Sequence, residues 1–185
     1  MISDILKEAK ERMKHSVQSL KEDLGAIRTG RASPALVEKL PVEYYGQPTP
    51  LIQLASISVP EPRQLLIKPF DPGSMKDIER AIQVSNLGLT PGNDGKMIRL
   101  TLPQLTEERR RDLVKMVHAR KEEAHVAIRN IRRDTNKDLR DFEAEKAISK
   151  DDLERGEKEV QDLHDEFIRE IDQIGASKEK EVMEV

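Results

Sequence analysis

Residues 106–146, TEERRRDLVKMVHARKEEAHVAIRNIRRDTNKDLRDFEAEK, decide the fold, because apolar residues recur in them every three or four positions. This spacing predicts a long amphipathic α-helix with one packing side. The packing side comprises Leu113, Val117, Ala124, Ile131, Thr135 and Phe142. The opposite side carries four arginines, here called the arginine row: Arg129, Arg132, Arg133 and Arg140. One long helix is therefore expected to pack along one side and to be basic along the other.

The arginine row has two interpretations that helical spacing alone leaves open. Guanidinium forks bind phosphate bidentately, so the row is a candidate nucleic-acid contact. Surface arginines are also commonly solvated or paired with carboxylates one helical turn away. Charge is uneven: residues 105–140 carry 11 Lys and Arg against 7 Asp and Glu, and residues 141–185 carry 7 against 16. The net charge of −3 therefore hides a basic helix beside an acidic one and does not exclude a nucleic-acid partner.

The composition limits the classes of protein to which this chain can belong. Charged residues make up 36% of the chain and aromatic residues 3%, which favours helices with narrow apolar seams. Cysteine is absent, so disulfides are excluded and a reducing compartment fits. Residues 1–10 carry four charges and no apolar run, and no stretch approaches the ~20 apolar residues of a membrane span. We expect a cytoplasmic protein.

One further helix is expected before residues 106–146 and another after them. Residues 2–29 are amphipathic, with Ser3 or Asp4 as the N-terminal cap and Gly30 as the stop. Residues 149–182 begin at Ser149 and carry a heptad seam. That seam comprises Leu153, Gly156, Val160, Leu163, Phe167 and Ile174, with Ile171 alongside. Three seams of this kind are best buried against one another in a three-helix bundle.

A small β/α/β domain is predicted between the helix over residues 2–29 and the helix over residues 106–146. The segment holds most of the prolines, and strand patterns cover residues 37–45, 52–59, 64–68 and 97–102, with a helix over 74–85. The fold class is thus α+β, with residues 1–30 and 105–185 forming the bundle and residues 31–104 the inserted domain. The chain crosses between them near residues 29–31 and 102–104, where Gly and Pro suit a flexible hinge.

Catalytic and metal chemistry have little support. The chain has no nucleophile motif, no H-E-x-x-H and no Walker loop, so we expect no enzyme and no cofactor. His118 and His125 are seven residues apart, about 10.5 Å along a helix, which is too far for two ligands of one metal. Tyr44 and Tyr45 are adjacent in a predicted strand, so one is expected inside and the other exposed.

Seven short motifs together resemble the ribosome recycling factor family. They are IRTGRASP (27–34), VEYYG (42–46), SNLGL (85–89), DG (94–95), LTEERR (105–110), AIRNIRR (127–133) and KEKEVM (178–183). The resemblance spans nearly the whole chain in the order of the family, although residues 141–170 match mainly by their heptad pattern. It implies a shape somewhat like tRNA, with a three-helix bundle and a small domain at a flexible elbow.

The resemblance also implies a function after termination of translation. A protein of this family binds the ribosome holding mRNA and deacylated tRNA, acts with elongation factor G and its GTP to separate the subunits, and is followed by initiation factor three. It would be a monomer that contacts large-subunit rRNA near the peptidyl and exit tRNA sites. The implied rRNA-binding residues are Arg129, Asn130, Arg132, Arg133, Arg28 and Arg31. The implied hinge residues are Thr29, Gly30, Arg31, Pro34, Pro103 and Gln104.

Two rival functions follow from the residues themselves. The heptads also suit a helical scaffold that binds another coiled coil, and such a protein would have no affinity for ribosomes. A nucleotide-dependent enzyme would show GTP turnover by the purified chain alone. For the hinge, Gly30→Pro is expected to restrict motion between the domains and to slow subunit splitting.

Overall fold

The computed structural model describes residues 1–184 and contains four α-helices and six β-strands. The helices are α1 (Ile2–Gly25), α2 (Met75–Val84), α3 (Glu107–Ala144) and α4 (Lys150–Met183). The strands are β1 (Pro41–Tyr44), β2 (Gln47–Pro50), β3 (Ala55–Glu61), β4 (Gln64–Pro69), β5 (Pro91–Asn93) and β6 (Ile98–Thr101). Within residues 1–184, no helix is both long enough and apolar enough to cross a membrane.

The described chain divides into two compact units. Residues 1–29 and 106–184 form the helical unit, and Gly30–Leu105 form the mixed unit. In the helical unit α1, α3 and α4 all pack against one another, which gives the predicted three-helix bundle. The mixed unit carries all six strands together with α2. That the two units move about a hinge stays a prediction.

The buried sides of the three long helices form the core of the helical unit. On α1 they are Ala9, Met13, Val17, Leu20 and Leu24. On α3 they are Leu113, Val117, Ala124, Ile128, Ile131, Thr135 and Leu139. On α4 they are Gly156, Val160, Phe167, Ile171, Gly175 and Val182. Strict heptad spacing drifts by about 20° per heptad around a straight helix, which explains the differences from the predicted seams. Ile128 and Leu139 were not predicted, and Phe142, Leu153, Leu163 and Ile174 are only half-buried.

The helix ends test the predicted caps. The Ser149 hydroxyl accepts the backbone N–H of Asp152 at 3.0 Å, and the Asp152 carboxylate accepts the backbone N–H of Ser149, which completes a capping box at the start of α4. The cap predicted for α1 at Ser3 or Asp4 is wrong, because Met1 occupies the N-cap position without a side-chain bond.

The predicted end of α1 is also wrong. The helix ends at Gly25, five residues before Gly30, and the N–H of Ala26 closes its last turn on the Glu22 carbonyl at 3.1 Å. Glycine has the lowest helix propensity after proline. Ile27 then turns back with its N–H bonded to Leu24 and its side chain buried.

The mixed unit contains a four-stranded antiparallel sheet in the order β3-β4-β6-β5 and a separate β1-β2 hairpin. Ile98 and Leu100 of β6 are buried while Arg99 and Thr101 are exposed, as the alternation predicts. Helix α2 buries one apolar side, made up of Met75, Ile78, Ala81 and Ile82. This side joins the strands in a single core.

Two predicted strands begin late and two short strands were missed. The strand predicted over 37–45 begins only at Pro41, because residues 34–36 form a 3₁₀ turn and the N–H of Val37 bonds back to Pro34. The strand predicted over 52–59 begins at Ala55, after a 3₁₀ turn over residues 51–53. Strand β2 contains two prolines and β5 spans three residues, so neither has the composition of a predictable strand.

Candidate nucleic-acid interface

The arginine row lies along the exposed side of α3. Arg129, Arg133 and Arg140 are exposed, and Arg132 is half-buried. At about 100° per residue, the three exposed arginines lie within about 40° of one another around the helix axis. Arg132 lies at the edge facing α4, where its Nη1 donates to Gln161 Oε1 at 3.3 Å. The structure therefore brings the four side chains to one side of α3.

Carboxylates neutralise the two ends of the row. Arg129 Nη2 donates to Glu122 Oε1 at 2.9 Å, and Arg140 Nε donates to Glu157 Oε1 of α4 at 2.7 Å. The hydrogen bond from Arg129 is the largest of the effects that hold the pKa of Glu122 below its usual value. Both pairs are exposed to solvent, so they are screened by salt and contribute little to stability.

The two central arginines of the row, Arg132 and Arg133, are not paired with carboxylates of the described residues. Arg132 donates to the amide of Gln161, and Arg133 donates to the Oδ1 of Asn130 in the preceding turn. Both acceptors are neutral amide oxygens. Among residues 1–184, no carboxylate lies within 4.0 Å of the Arg132 or Arg133 guanidinium. Two full positive charges are therefore available here to an anionic partner.

Asn130 lies on the flank of the row that faces α1. It lines a shallow surface groove together with Glu11, Arg12 and His15 of α1. Arg12 Nη2 donates to Asp134 Oδ2 at 3.1 Å, which directs this carboxylate towards α1. The acidic residue next to Arg133 in the sequence therefore does not neutralise it.

The structure does not bring Arg28 to the row. Arg28 is exposed and lines a groove of the helical unit together with Arg109 and Arg120. Arg109 precedes Arg129 by about 30 Å along α3, at 1.5 Å per residue. Arg31 belongs to the mixed unit. If Arg28 contacts rRNA, it therefore contacts a part of it other than the part at the row.

Three of the predicted hinge residues, Gly30, Pro103 and Gln104, lie in irregular backbone. Gly30 has a φ of +77°, and a Cβ atom there would lie 3.2 Å from Leu105 Cγ and 3.5 Å from the Pro103 carbonyl oxygen. The two chain passages through this region therefore lie side by side within the mixed unit. Pro103 and Gln104 are exposed and belong to no helix or strand.

The remaining hinge candidates have local partners. Thr29 Oγ1 donates to Glu181 Oε1 of α4 at 3.1 Å, which anchors the chain to the helical unit. Pro34 begins the 3₁₀ turn over residues 34–36, and the hydroxyl of Ser33 caps this turn. Defined structure therefore begins close to both sides of Gly30.

The two histidines of α3 pair with carboxylates of α4. His118 Nε2 lies 3.5 Å from Glu179 Oε2, and His125 Nε2 lies 2.8 Å from Asp172 Oδ1, both across to α4. In the part of the chain that the structure describes, no cluster of three His, Cys, Asp or Glu side chains is placed to hold a metal ion.

Sequence reasoning missed the side chains that hold the row. Glu122 precedes Arg129 by two helical turns, so their shared side was visible in the spacing. Gln161 and Glu157 come from α4, and their contacts with α3 depend on the register between the two helices. No pattern within a single helix reports that register.

Comparison with known proteins identifies the family. The profile of the family described as ribosome recycling factor matches residues 20–183. The chain belongs to the ribosome recycling factor family. The ribosome-recycling factor of Roseiflexus castenholzii is 56% identical over 185 residues, and that of Halalkalibacterium halodurans is 54% identical, each covering 100% of both chains. Members of this family are translation factors without enzymatic activity.

Solved structures of the family share the fold. A solution structure of a ribosome recycling factor matches with a TM-score of 0.76 and 44% identity, covering 100% of this chain and 98% of that one. A second structure contains the T. thermophilus ribosome recycling factor and the E. coli elongation factor G bound to the E. coli post-termination complex. It matches with a TM-score of 0.65 and 42% identity over 100% of both chains.

Proposed function

We propose that this chain holds the post-termination ribosome through its arginine row and, with elongation factor G and GTP, separates the subunits to release mRNA and deacylated tRNA. Membership of the ribosome recycling factor family supports the reaction. A related protein, described together with elongation factor G bound to the post-termination complex, supports the partner. The observation that carries the binding surface is the pair of arginines, Arg132 and Arg133, without carboxylate partners.

The binding surface consists of Arg129, Asn130, Arg132 and Arg133, placed against large-subunit rRNA near the peptidyl and exit tRNA sites. A phosphate oxygen accepts a charge-assisted hydrogen bond from a guanidinium and is a stronger acceptor than a neutral amide. Phosphates therefore replace Gln161 and Asn130 as partners of the two central arginines. Arg28 and Arg31 make separate contacts with the ribosome.

The contribution of this chain to splitting is mechanical. The sequence contains no phosphate-binding loop motif, so GTP hydrolysis is assigned to elongation factor G. The helical unit is anchored on rRNA, and the mixed unit is the part that elongation factor G displaces. Initiation factor three then keeps the separated subunits apart in the cytoplasm.

A hinge at Gly30 would allow this displacement. The positive φ of Gly30 is a conformation that other residues adopt only with strain, and a side chain would press on Leu105. Gly30→Pro, the variant that the sequence suggests, is unsuitable because proline fixes φ near −65°. It would disrupt the local backbone rather than restrict motion.

Gly30→Ala tests the hinge, with Gly46→Ala as its control. Gly46 has nearly the same φ, +76°, but nothing lies within 4 Å of a Cβ atom there. We expect Gly30→Ala to slow subunit splitting, measured by light scattering with elongation factor G and GTP, by more than it weakens ribosome binding. The control should split subunits at nearly the normal rate. Equal splitting rates for the two variants would remove Gly30 from the mechanism.

Salt-dependent binding tests the anchoring surface. Arg132→Ala is compared with Arg140→Ala, which removes an arginine that lies outside the proposed binding surface and is paired with Glu157. Loss of one phosphate contact lowers the slope of log affinity against log salt by about 0.7–0.9. When the salt concentration rises about fourfold, the affinity of the wild type should therefore fall by a factor about three times larger than the affinity of Arg132→Ala. The slope of Arg140→Ala should stay close to that of the wild type, and identical curves for all three proteins would contradict the proposal.

A further inference from the structure

Four side chains form a continuous chain of polar contacts from α4 to the end of the arginine row. Asp172 Oδ1 of α4 lies 2.8 Å from His125 Nε2 of α3. The other ring nitrogen, Nδ1, lies 3.4 Å from Glu122 Oε2. The second oxygen of the same carboxylate, Oε1, accepts the hydrogen bond from Arg129 Nη2 at 2.9 Å. Each of the two oxygens of Glu122 therefore has its own partner.

The histidine is the anchored member of this chain. The His125 side chain is 16% exposed, whereas those of Glu122, Asp172 and Arg129 are 62%, 49% and 45% exposed. Long exposed side chains normally sample several rotamers, and ordering them costs entropy when they bind a partner. A carboxylate held at one oxygen by a largely shielded ring presents its other oxygen in a defined place.

We propose that His125 and Glu122 are positioning residues for Arg129, so that α4 orients this arginine for phosphate through a relay. Arg132 and Arg140 receive their partners on α4 directly, from Gln161 and Glu157. Arg129 is instead linked to Asp172 of α4 through Glu122 and His125. The inference rests on the proposed function, because it concerns how one member of the row meets rRNA.

The relay depends on the hydrogens of the imidazole ring. Only the protonated ring donates from both nitrogens, to Glu122 and to Asp172 together; a neutral ring donates to one of them. The contact with Glu122 is therefore a hydrogen bond only when Nδ1 carries a hydrogen.

A double-mutant cycle tests the relay by titration of the full chain against purified large ribosomal subunits. We expect His125→Ala to weaken binding by about three- to tenfold, and to have no further effect once Arg129→Ala is present. His118→Ala is the matched control, because His118 also bridges to α4, at Glu179, but touches no arginine of the row. This control should change affinity by less than about twofold.

Glu122→Ala separates positioning from simple electrostatics. The change removes a negative charge beside the row, so electrostatics alone predicts tighter binding to phosphate, whereas loss of positioning predicts weaker binding. Tighter binding of Glu122→Ala would overturn the relay.

The failure of the relay is distinguishable from the failure of the proposed function. If Arg129→Ala and Arg132→Ala both bind as tightly as the wild type, the row does not contact rRNA and the proposed function is wrong at this surface. If these two variants bind weakly, but His125→Ala lowers the affinity by the same factor whether or not Arg129 is present, the relay alone is wrong. Thermal unfolding of each variant identifies any effect that comes from the stability of the bundle, and Glu122→Ala, at an exposed position, supplies the test if His125→Ala unfolds.

Discussion

Helices α3 and α4 approach closely at two glycines of α4, and replacing each by alanine gives opposite expectations. A Cβ atom at Gly156 would lie 3.1 Å from Leu139 Cδ1 and 3.4 Å from its Cδ2. A Cβ atom at Gly175 would lie 2.8 Å from Lys121 Cδ. Leu139 is fully buried, whereas the stem of Lys121 is flexible and only partly buried. The first obstruction is therefore rigid and the second can rotate away.

The magnitudes follow from two opposing effects. Alanine in a helix interior is about 1 kcal/mol more favourable than glycine. Adding a methyl group to a packed core costs about 1–3 kcal/mol. Gly175→Ala should therefore stabilise the protein by about 0.5–1 kcal/mol, because Lys121 moves and most of the helix propensity is retained. Gly156→Ala should be less stable than Gly175→Ala by about 1–2 kcal/mol.

Urea unfolding followed by far-UV circular dichroism measures this difference. The result that would refute the reasoning is a Gly156→Ala protein as stable as Gly175→Ala, or more so. A second comparison isolates the packing contact. In a Leu139→Ala background the obstructing methyl groups are gone, so adding Gly156→Ala should stabilise the protein by about 1 kcal/mol. A further loss of stability in that background would show that the contact with Leu139 is not the cause.

Two further expectations concern the α4 cap and acid stability. Ser149→Ala removes the hydroxyl that accepts the hydrogen bond from the Asp152 N–H. Loss of such a cap should lower the free energy of unfolding by about 1 kcal/mol in the same urea assay. An unchanged urea midpoint would show that the capping box is not stabilising. Acid should also destabilise the protein. Hydrogen bonds from Ser149 lower the pKa of Asp152, and those from the backbone of Lys96 and Met97 lower the pKa of Asp94. A folded-state pKa below the unfolded value contributes stability that is full above about pH 5 and is lost as pH falls through the folded pKa. Urea midpoints should therefore fall from neutral pH to pH 3, and Asp94→Asn should show a smaller fall than the wild type.

Local periodicity was sufficient to find the helices, because a helix of more than 30 residues repeats its apolar spacing many times. Helices α3 and α4 begin where the sequence placed them, with Thr106 and Ser149 as caps. Boundaries that depend on non-local packing were less predictable. Helix α1 ends at Gly25 rather than near Gly30, because burial of Ile27 favours a turn there.

The mixed unit shows where strand patterns fail. Strand β4 and helix α2 have strong periodic composition, and both occur close to the predicted positions. Strands β2 and β5 have little intrinsic strand preference and exist because β1 and β6 offer hydrogen-bonding edges. Such strands are selected by their neighbours, which a single sequence does not reveal.

The sequence by itself determined the long helices, their packing sides and the presence of four arginines on one side of α3. These follow from the fixed rotation per residue, which turns spacing into direction. Tertiary structure decided which of those arginines keep their charge. The register between α3 and α4 brings Glu157 to Arg140 and a neutral amide, Gln161, to Arg132. Because the partners come from another helix, only the folded bundle separates the neutralised ends of the row from its positive centre.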